Sequence, residues 1–265
     1  MLQFRILLPI FCGLVLLSSC KKKSTVEGQL SDIVSPVNDS TAIALRNSKV
    51  VFDFKAFAGS KALSASGIYN NNGVSFDLRI FNYYISNIKF KRSDGYVYSE
   101  PESYHLNKHL EGKETFTVSN LPSGTYTRIE FIIGVDSARN VGGIQGGDLA
   151  VEQGMFWEWN TGYIFFKMEG SFAPPSGGEW ENFGMHVGGF TGKNNSLQSC
   201  SFTLKSPIVA KYGNNCGVFY HVNVLEAFKT PTQLDFQGIN DGGSQVLKTV
   251  SENYADMFTI DRIAN

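Results

Sequence analysis

Residues 155–170 have the sequence MFWEWNTGYIFFKMEG, in which Trp157 and Trp159 lie two residues apart and a strand-like run begins at Tyr163. A run of apolar residues interrupted by polar ones at a period near two is typical of a partly buried strand. The alternation is imperfect, which places the tryptophans at a turn that enters the strand. The pair is either an anchor for the core or part of a site, and alternate positions would bring both indoles to one face.

The same strand pattern recurs on both sides of this stretch, between turn signals such as Asn72-Gly73, Asp94-Gly95 and the LPSG at 121–124. Many short strands at turn-bounded spacing predict an all-β protein, an antiparallel β-sandwich with long loops. A short C-terminal helix is expected over 251–258, with Ser251 as its N-cap. The strand candidates are 50–57, 73–81, 83–90, 96–98, 114–120, 125–136, 163–172, 182–190, 199–205 and 217–228.

The N-terminus carries a secretory signal. Arg5 precedes an apolar run that is too short to span a bilayer and that ends in the lipoprotein box LSSC at 17–20. We therefore expect a signal peptide over 1–19, a lipidated Cys20 that begins a flexible linker over 20–48, and one folded domain over 49–265. The lysines at 21–23 are not an aspartate-type inner-membrane retention signal, so we expect a cell-envelope protein anchored in the outer membrane.

Composition and motifs exclude several classes of function. The net charge is −1 and no basic stripe is present, so nucleic-acid binding is not expected. We find no nucleophile elbow, metalloprotease motif, phosphate loop or calcium loop. Carboxylate pairs such as Asp136 and Asp148 have nothing else that marks them as catalytic, and the chain is predicted not to be an enzyme.

Two cysteines are not accounted for by the signal peptide or by lipidation. Cys200 and Cys216 flank a polar segment between strand candidates. In an exported protein two such thiols most simply form one disulfide. A cysteine-based metal site is the other reading, but the spacing matches no zinc pattern.

The four histidines fall into two groups. His105 and His109 lie in a segment that offers no useful amphipathic helix, and they are expected to be exposed residues that lead into a strand. His186 and His221 each lie inside an apolar, strand-patterned segment. A buried imidazole needs a hydrogen-bond partner or a metal, and neutral imidazole is a common copper ligand, so these two are either satisfied core residues or metal ligands.

Several segments resemble one family. The run from Gly134 to Gly170 and the element NFGMHVGGF at 182–190, together with the strand at 81–90 and NYADMF at 253–258, resemble the MbnP-like copper-binding domain. This is a family of exported, β-rich proteins, and the resemblance covers roughly Val50 to Phe258.

The resemblance implies binding of a single copper ion in the cell envelope, without turnover of a substrate. It also implies a site built from histidine and from a tryptophan that a di-haem, peroxidase-like partner oxidises to kynurenine. By position, the candidate residues are His186 as a metal ligand and Trp157 or Trp159 as the modified residue, and the strand argument adds His221. No Trp-x-His pair occurs in the chain. The alternative is a non-metal adhesion or scaffold lipoprotein in which the aromatic residues are core or a partner-binding surface.

Overall fold

Two β-sheets account for most of the molecule. The computed structural model describes residues 47–143, 145–157, 162–241 and 243–265. The predicted signal peptide, the lipidation site Cys20, most of the predicted linker and Trp159 lie outside these residues. Within them, no helix is both long enough and apolar enough to cross a membrane.

The first sheet contains five strands in the described part of the chain: β1 (Asn47–Ala58), β2 (Lys61–Ala62), β7 (Thr115–Pro122), β13 (Asn215–Asn223) and β14 (Phe258–Ala264). β14, β13 and β1 lie side by side, and β2 and β7 pair with the far side of β1. β1 and β13 run parallel, whereas the other pairs are antiparallel.

The second sheet contains nine described strands: β3 (Ile68–Asn71), β4 (Val74–Arg92), β5 (Val97–Ser99), β6 (Tyr104–Lys108), β8 (Gly124–Ile133), β9 (Phe156–Trp157), β10 (Gly162–Phe172), β11 (Glu181–Gly188) and β12 (Gln198–Ala210). Five of them lie in the order β11-β10-β4-β8-β12, and the short strands β3, β5, β6 and β9 pair with β4 or β10. All of the described pairs are antiparallel.

Aromatic side chains fill the space between the two sheets. In β1, alternate residues such as Phe52 and Phe54 are fully buried, as the period-two pattern predicted. Phe54 stacks on Tyr220 of the same sheet, with ring centroids 4.6 Å apart, and meets Tyr83 and Phe131 of the other sheet edge-on. The predicted all-β sandwich is confirmed. The two strands predicted over 73–81 and 83–90 are one strand, β4, which pairs first with β10 and then with β8.

The predicted C-terminal helix is present, since residues 251–257 are helical, but the helix begins at Gly243, so Ser251 is not its N-cap. The predicted cap, Ser251, is in the last turn of a helix, where its hydroxyl donates to the carbonyl of Lys248 at 2.6 Å, and Phe258 already begins a strand. The predicted strand over 217–228 ends at Asn223, whose side-chain oxygen accepts from the amide of Leu225 and starts a 3-10 turn. The helices are α1 (Ser137–Asn140), α2 (Phe236–Asp241) and α3 (Gly243–Asn253), and the 3-10 helices are His109–Glu111, Gly147–Leu149, Val151–Gln153, Gly192–Asn194, Val224–Phe228 and Tyr254–Met257.

The predicted disulfide between Cys200 and Cys216 is absent, and both thiols are free and buried. Cys216 lies just after the turn between β12 and β13, and its Sγ is 3.8 Å from the carbonyl oxygen of Val209. Cys200 lies near the far end of β12, and its Sγ is 3.8 Å from the carbonyl oxygen of Ala255. β12 and β13 belong to different sheets, and Cys216 meets β12 at Val209, at the opposite end of that strand from Cys200, so the length of β12 keeps the two sulfurs apart.

Candidate functional site

Alternation along β10 and β11 puts a small polar group on the outer face of the second sheet. Phe166 and Met168 of β10, and Met185 and Val187 of β11, point into the core between the sheets. The residues between them therefore point outward. Lys167 is directly opposite His186, and Glu169 is opposite Gly184, so these three polar side chains share one patch.

The imidazole of His186 and the carboxylate of Glu169 form the closest contact in this patch. Nε2 of His186 lies 2.6 Å from Oε1 of Glu169, and the two side chains are 39% and 30% exposed. Nζ of Lys167 lies 3.5 Å from the same carboxylate oxygen. Burial would raise the pKa of Glu169, but the hydrogen bond with His186 and the charge of Lys167 outweigh it and lower that pKa. The carboxylate is therefore held ionised between two basic groups.

Trp157 lies beside this patch because of a glycine. The short strand β9 pairs with the start of β10, with Trp157 opposite Gly162. The indole then packs on Gly188 of β11, where a Cβ would come within 2.6 Å of Cζ3 of Trp157 and 2.5 Å of the carbonyl oxygen of Tyr163. Only glycine leaves room for the ring here. Gly188 lies two residues from His186 on β11, so the indole of Trp157 that packs on Gly188 is held close to His186.

A depression of about 670 Å³ opens between these groups. Trp157 and His186 both line it, together with Asn140 at the end of α1, Phe190, and Lys248 of α3. The depression is open to solvent on one side of the second sheet. A molecule or ion in it could contact the imidazole and the indole at the same time.

A second apolar cluster holds the loop that leads to Trp157. Tyr84, Phe165 and Met155 belong to this cluster, which lies on the outer face of the second sheet. Tyr163 donates to the carbonyl of Leu149 at 2.9 Å, and the side-chain oxygen of Asn140 accepts from the amide of Tyr163 at 3.0 Å. These contacts fix the loop over 134–157 against β10.

Asp136 and Asp148 have structural partners. Asp136 caps α1 through the amide of Arg139 and accepts hydrogen bonds from Asn87 and Tyr104. Asp148 accepts from the amide of Leu106 at 2.8 Å and from the ammonium of Lys113 at 2.6 Å. Each carboxylate therefore ties this loop to the sheet.

His221 is not part of this site. It lies on β13 in the first sheet, whose core-facing residues are Val218, Tyr220 and Val222, so its ring faces outward on the opposite side of the sandwich. There it stacks on Phe57, with ring centroids 4.2 Å apart, and lines a separate depression of about 330 Å³. The predicted pair of His186 and His221 is not assembled, because their strands belong to different sheets.

The expectation that His105 and His109 are exposed was wrong. His109 is buried, with its Nε2 2.9 Å from the hydroxyl oxygen of Tyr83 and its Nδ1 3.4 Å from Oε2 of Glu114. Burial lowers the pKa of His109, although Glu114 acts in the opposite direction. His105 stacks on Phe116, with centroids 3.8 Å apart, and its Nε2 lies 2.8 Å from Oε2 of Glu100.

The donors in the depression fit a transition-metal ion only in part. Imidazole nitrogen and carboxylate oxygen are both ligands for copper and zinc. Within the described ranges, no three or more His, Cys, Asp or Glu side chains are grouped so that they could hold a metal ion. The described chain thus offers one imidazole, backed by one carboxylate. Sequence reasoning missed Glu169, Lys167 and Gly188, although the alternation along β10 could have shown that the first two share the face of His186.

Fold and site together define a class: a largely antiparallel β-sandwich protein with a histidine, a carboxylate and a tryptophan on the outer face of one sheet. The MbnP family model matches residues 47–245, and the chain belongs to the MbnP family. The fold is similar to that of the solved structure of MbnP from Methylosinus trichosporium, with a TM-score of 0.45 and 14% sequence identity over 69% of this chain and 77% of that chain. No curated protein matches the chain. The match of the family model confirms the family resemblance drawn from the residues.

Proposed function

We propose that this protein binds copper in the cell envelope, at the depression lined by His186 and Trp157. One observation carries the proposal: the imidazole of His186, held by Glu169, faces the same depression as the indole of Trp157. Membership of the MbnP family agrees with a copper-related role. His221 is left out of the proposed site because it lies on the other sheet.

The role we propose is metal handling without turnover of a substrate. A single protein imidazole leaves most coordination positions of a copper ion to solvent or to an outside ligand. The side chain of His186 is also 39% exposed, so an exchanging ligand can reach it. Such a site suits uptake and release better than permanent storage.

The proposal includes a modified tryptophan. With a peroxide as the oxidant, two oxygen atoms add across the C2–C3 bond of the indole and cleave it, and hydrolysis then releases C2 as formate. The kynurenine that remains has an aniline nitrogen and a ketone, both of which can donate to a metal. Trp157 borders the depression, which makes it the better placed of the described tryptophans, while Trp159 lies outside the described residues. We propose that a di-haem, peroxidase-like partner performs this oxidation.

We also propose that lipid on Cys20 tethers the protein to the outer membrane. The lipoprotein box at 17–20 supports this, and the first described strand begins only at Asn47. The intervening residues would let the copper-binding domain stand away from the lipid surface.

Titration of the full chain with copper in detergent tests the proposal. We expect about one copper per chain by elemental analysis, together with quenching of tryptophan emission that is lost in Trp157→Phe. Intact mass before and after incubation with a di-haem partner reports conversion to kynurenine. A chain that takes up no copper under any of these conditions would contradict the proposal.

The second candidate is a non-metal scaffold lipoprotein that uses its aromatic run to bind a partner. The small number of metal donors among the described residues favours it. Packing of its described residues argues against it, because Tyr163 is 1% exposed and Trp157 packs on Gly188. Absence of copper uptake, with a stable fold, would favour this candidate.

A further inference from the structure

The imidazole of His186 has one strong partner. Its Nε2 lies 2.6 Å from Oε1 of Glu169, a distance typical of a charge-assisted hydrogen bond. The same carboxylate oxygen faces the ammonium group of Lys167 at 3.5 Å. Lys167 is itself anchored at its other side, since its Nζ lies 3.4 Å from the carbonyl oxygen of Gly154. The carboxylate is therefore placed to accept a hydrogen bond from a protonated ring nitrogen of His186.

This contact decides which ring nitrogen carries the proton. An ionised carboxylate only accepts hydrogen bonds, so the nitrogen beside it must be the donor. In a neutral imidazole one nitrogen is protonated and the other has the lone pair. With Nε2 protonated and bound to Glu169, the lone pair is on Nδ1. A histidine that binds a metal commonly donates its other N–H to a carboxylate in this way.

We infer that Glu169 is the positioning residue of His186: it holds the imidazole with Nε2 protonated and so makes Nδ1 the atom that binds the metal. This inference rests on the proposed copper function. Binding of a metal at Nδ1 would leave the contacts among Lys167, Glu169 and His186 unchanged. The carboxylate also increases the electron density on the imidazole and thereby strengthens the bond to the metal.

The donor atoms at this site also indicate which oxidation state of copper it favours. Within the described part of the chain, the depression is lined by no cysteine or methionine. The two methionines of the adjoining strands, Met168 and Met185, are fully buried between the sheets. Imidazole with oxygen donors suits Cu(II), whereas Cu(I) prefers sulfur. The site should therefore favour Cu(II).

The first measurement needs no metal. Long-range ¹H–¹⁵N correlation spectra of the full chain in detergent, labelled at its four histidines, report the tautomer of each ring. We expect a proton on Nε2 of His186 in the wild-type chain, and a mixture of tautomers in Glu169→Leu. The matched control is Glu181→Leu, an exposed residue at the far end of β11, the strand of His186. A wild-type ring with its proton on Nδ1 and none on Nε2 would overturn the inference.

The second measurement is Cu(II) affinity by competition titration. Loss of a residue that orients a metal-binding histidine typically weakens affinity about 10- to 100-fold. We expect that loss in Glu169→Leu, partial recovery in Glu169→Asp, and no change in Glu181→Leu. Cu(II) uptake that depends on His186 but is unchanged by Glu169→Leu would overturn the inference and leave the proposed function intact. A wild-type chain that takes up no copper would contradict the proposed function, and the inference with it.

Discussion

The indole of Trp157 packs directly on the backbone of Gly188, where a Cβ would lie only 2.6 Å from Cζ3 of the ring. This contact joins the loop that carries the tryptophan to the strand that carries His186. The position of the indole in the depression thus depends on the absence of one methyl group.

Gly188→Ala should displace the indole. Overpacking a close contact typically costs about 1–3 kcal/mol, and moving the ring out of the depression should also change its solvent exposure. We expect a lower free energy of unfolding and a red shift in tryptophan emission. Gly184→Ala is the matched control, because the nearest atom to its Cβ would be Cγ of Glu169 at 4.0 Å. Equal effects of the two substitutions would contradict the packing described here.

His109 should make stability depend on pH. Burial lowers the pKa of this imidazole in the folded protein, so the unfolded chain binds a proton more readily. The contribution of neutral His109 to the free energy of unfolding is complete above the ordinary histidine pKa of about 6.5. This contribution is lost as the pH falls below that value. We expect the free energy of unfolding in urea to fall between pH 7.5 and pH 5.5, and to fall less in His109→Asn. Glu114 cannot produce this change, because its lowered pKa keeps it ionised over that range. Identical pH dependence in the two proteins would refute the prediction.

The cysteines should be reduced in the purified protein. Alkylation in denaturant without prior reduction, followed by peptide mass analysis, should label both Cys200 and Cys216. In the native protein Cys200 should react slowly, because burial raises the pKa of its thiol to about 12. A peptide pair joined through Cys200 and Cys216 would contradict the placement of the two cysteines at opposite ends of β12.

The aromatic core should be sensitive to a single truncation. Phe54 contacts aromatic rings of both sheets, so Phe54→Ala should lower the free energy of unfolding by about 3–5 kcal/mol. Phe57→Ala is the control on the same strand, since Phe57 faces outward and stacks on His221. We expect the control to cost well under half as much. Chemical denaturation of both variants measures the difference.

Local pattern predicted much of the fold and one part of the site. The alternation that buries Phe52 and Phe54 is visible in the sequence, and so is the strand that carries His186. The assignment of strands to sheets is not, because it depends on contacts between residues far apart in the chain. For this reason His186 and His221 looked like equivalent ligands although their sheets face opposite ways.

The errors at the cysteines and at His109 have the same origin. Nothing near Cys200 and Cys216 reveals that their strands belong to different sheets, or that Cys216 meets β12 at the opposite end from Cys200. His109 lies in a polar segment, and its burial follows from a fold that brings Tyr83 and Glu114 to either side of its ring. Period-two patterning reports which residues share a face, but not what covers that face.

The central claim is that the depression beside Trp157 is the copper site, with His186 as its imidazole. Its most direct test compares the copper content of the full chain in His186→Ala and His221→Ala after equal loading and dialysis. We predict that His186→Ala loses the copper and that His221→Ala retains about one copper per chain. Copper retained in His186→Ala, or lost equally in both variants, would contradict the account.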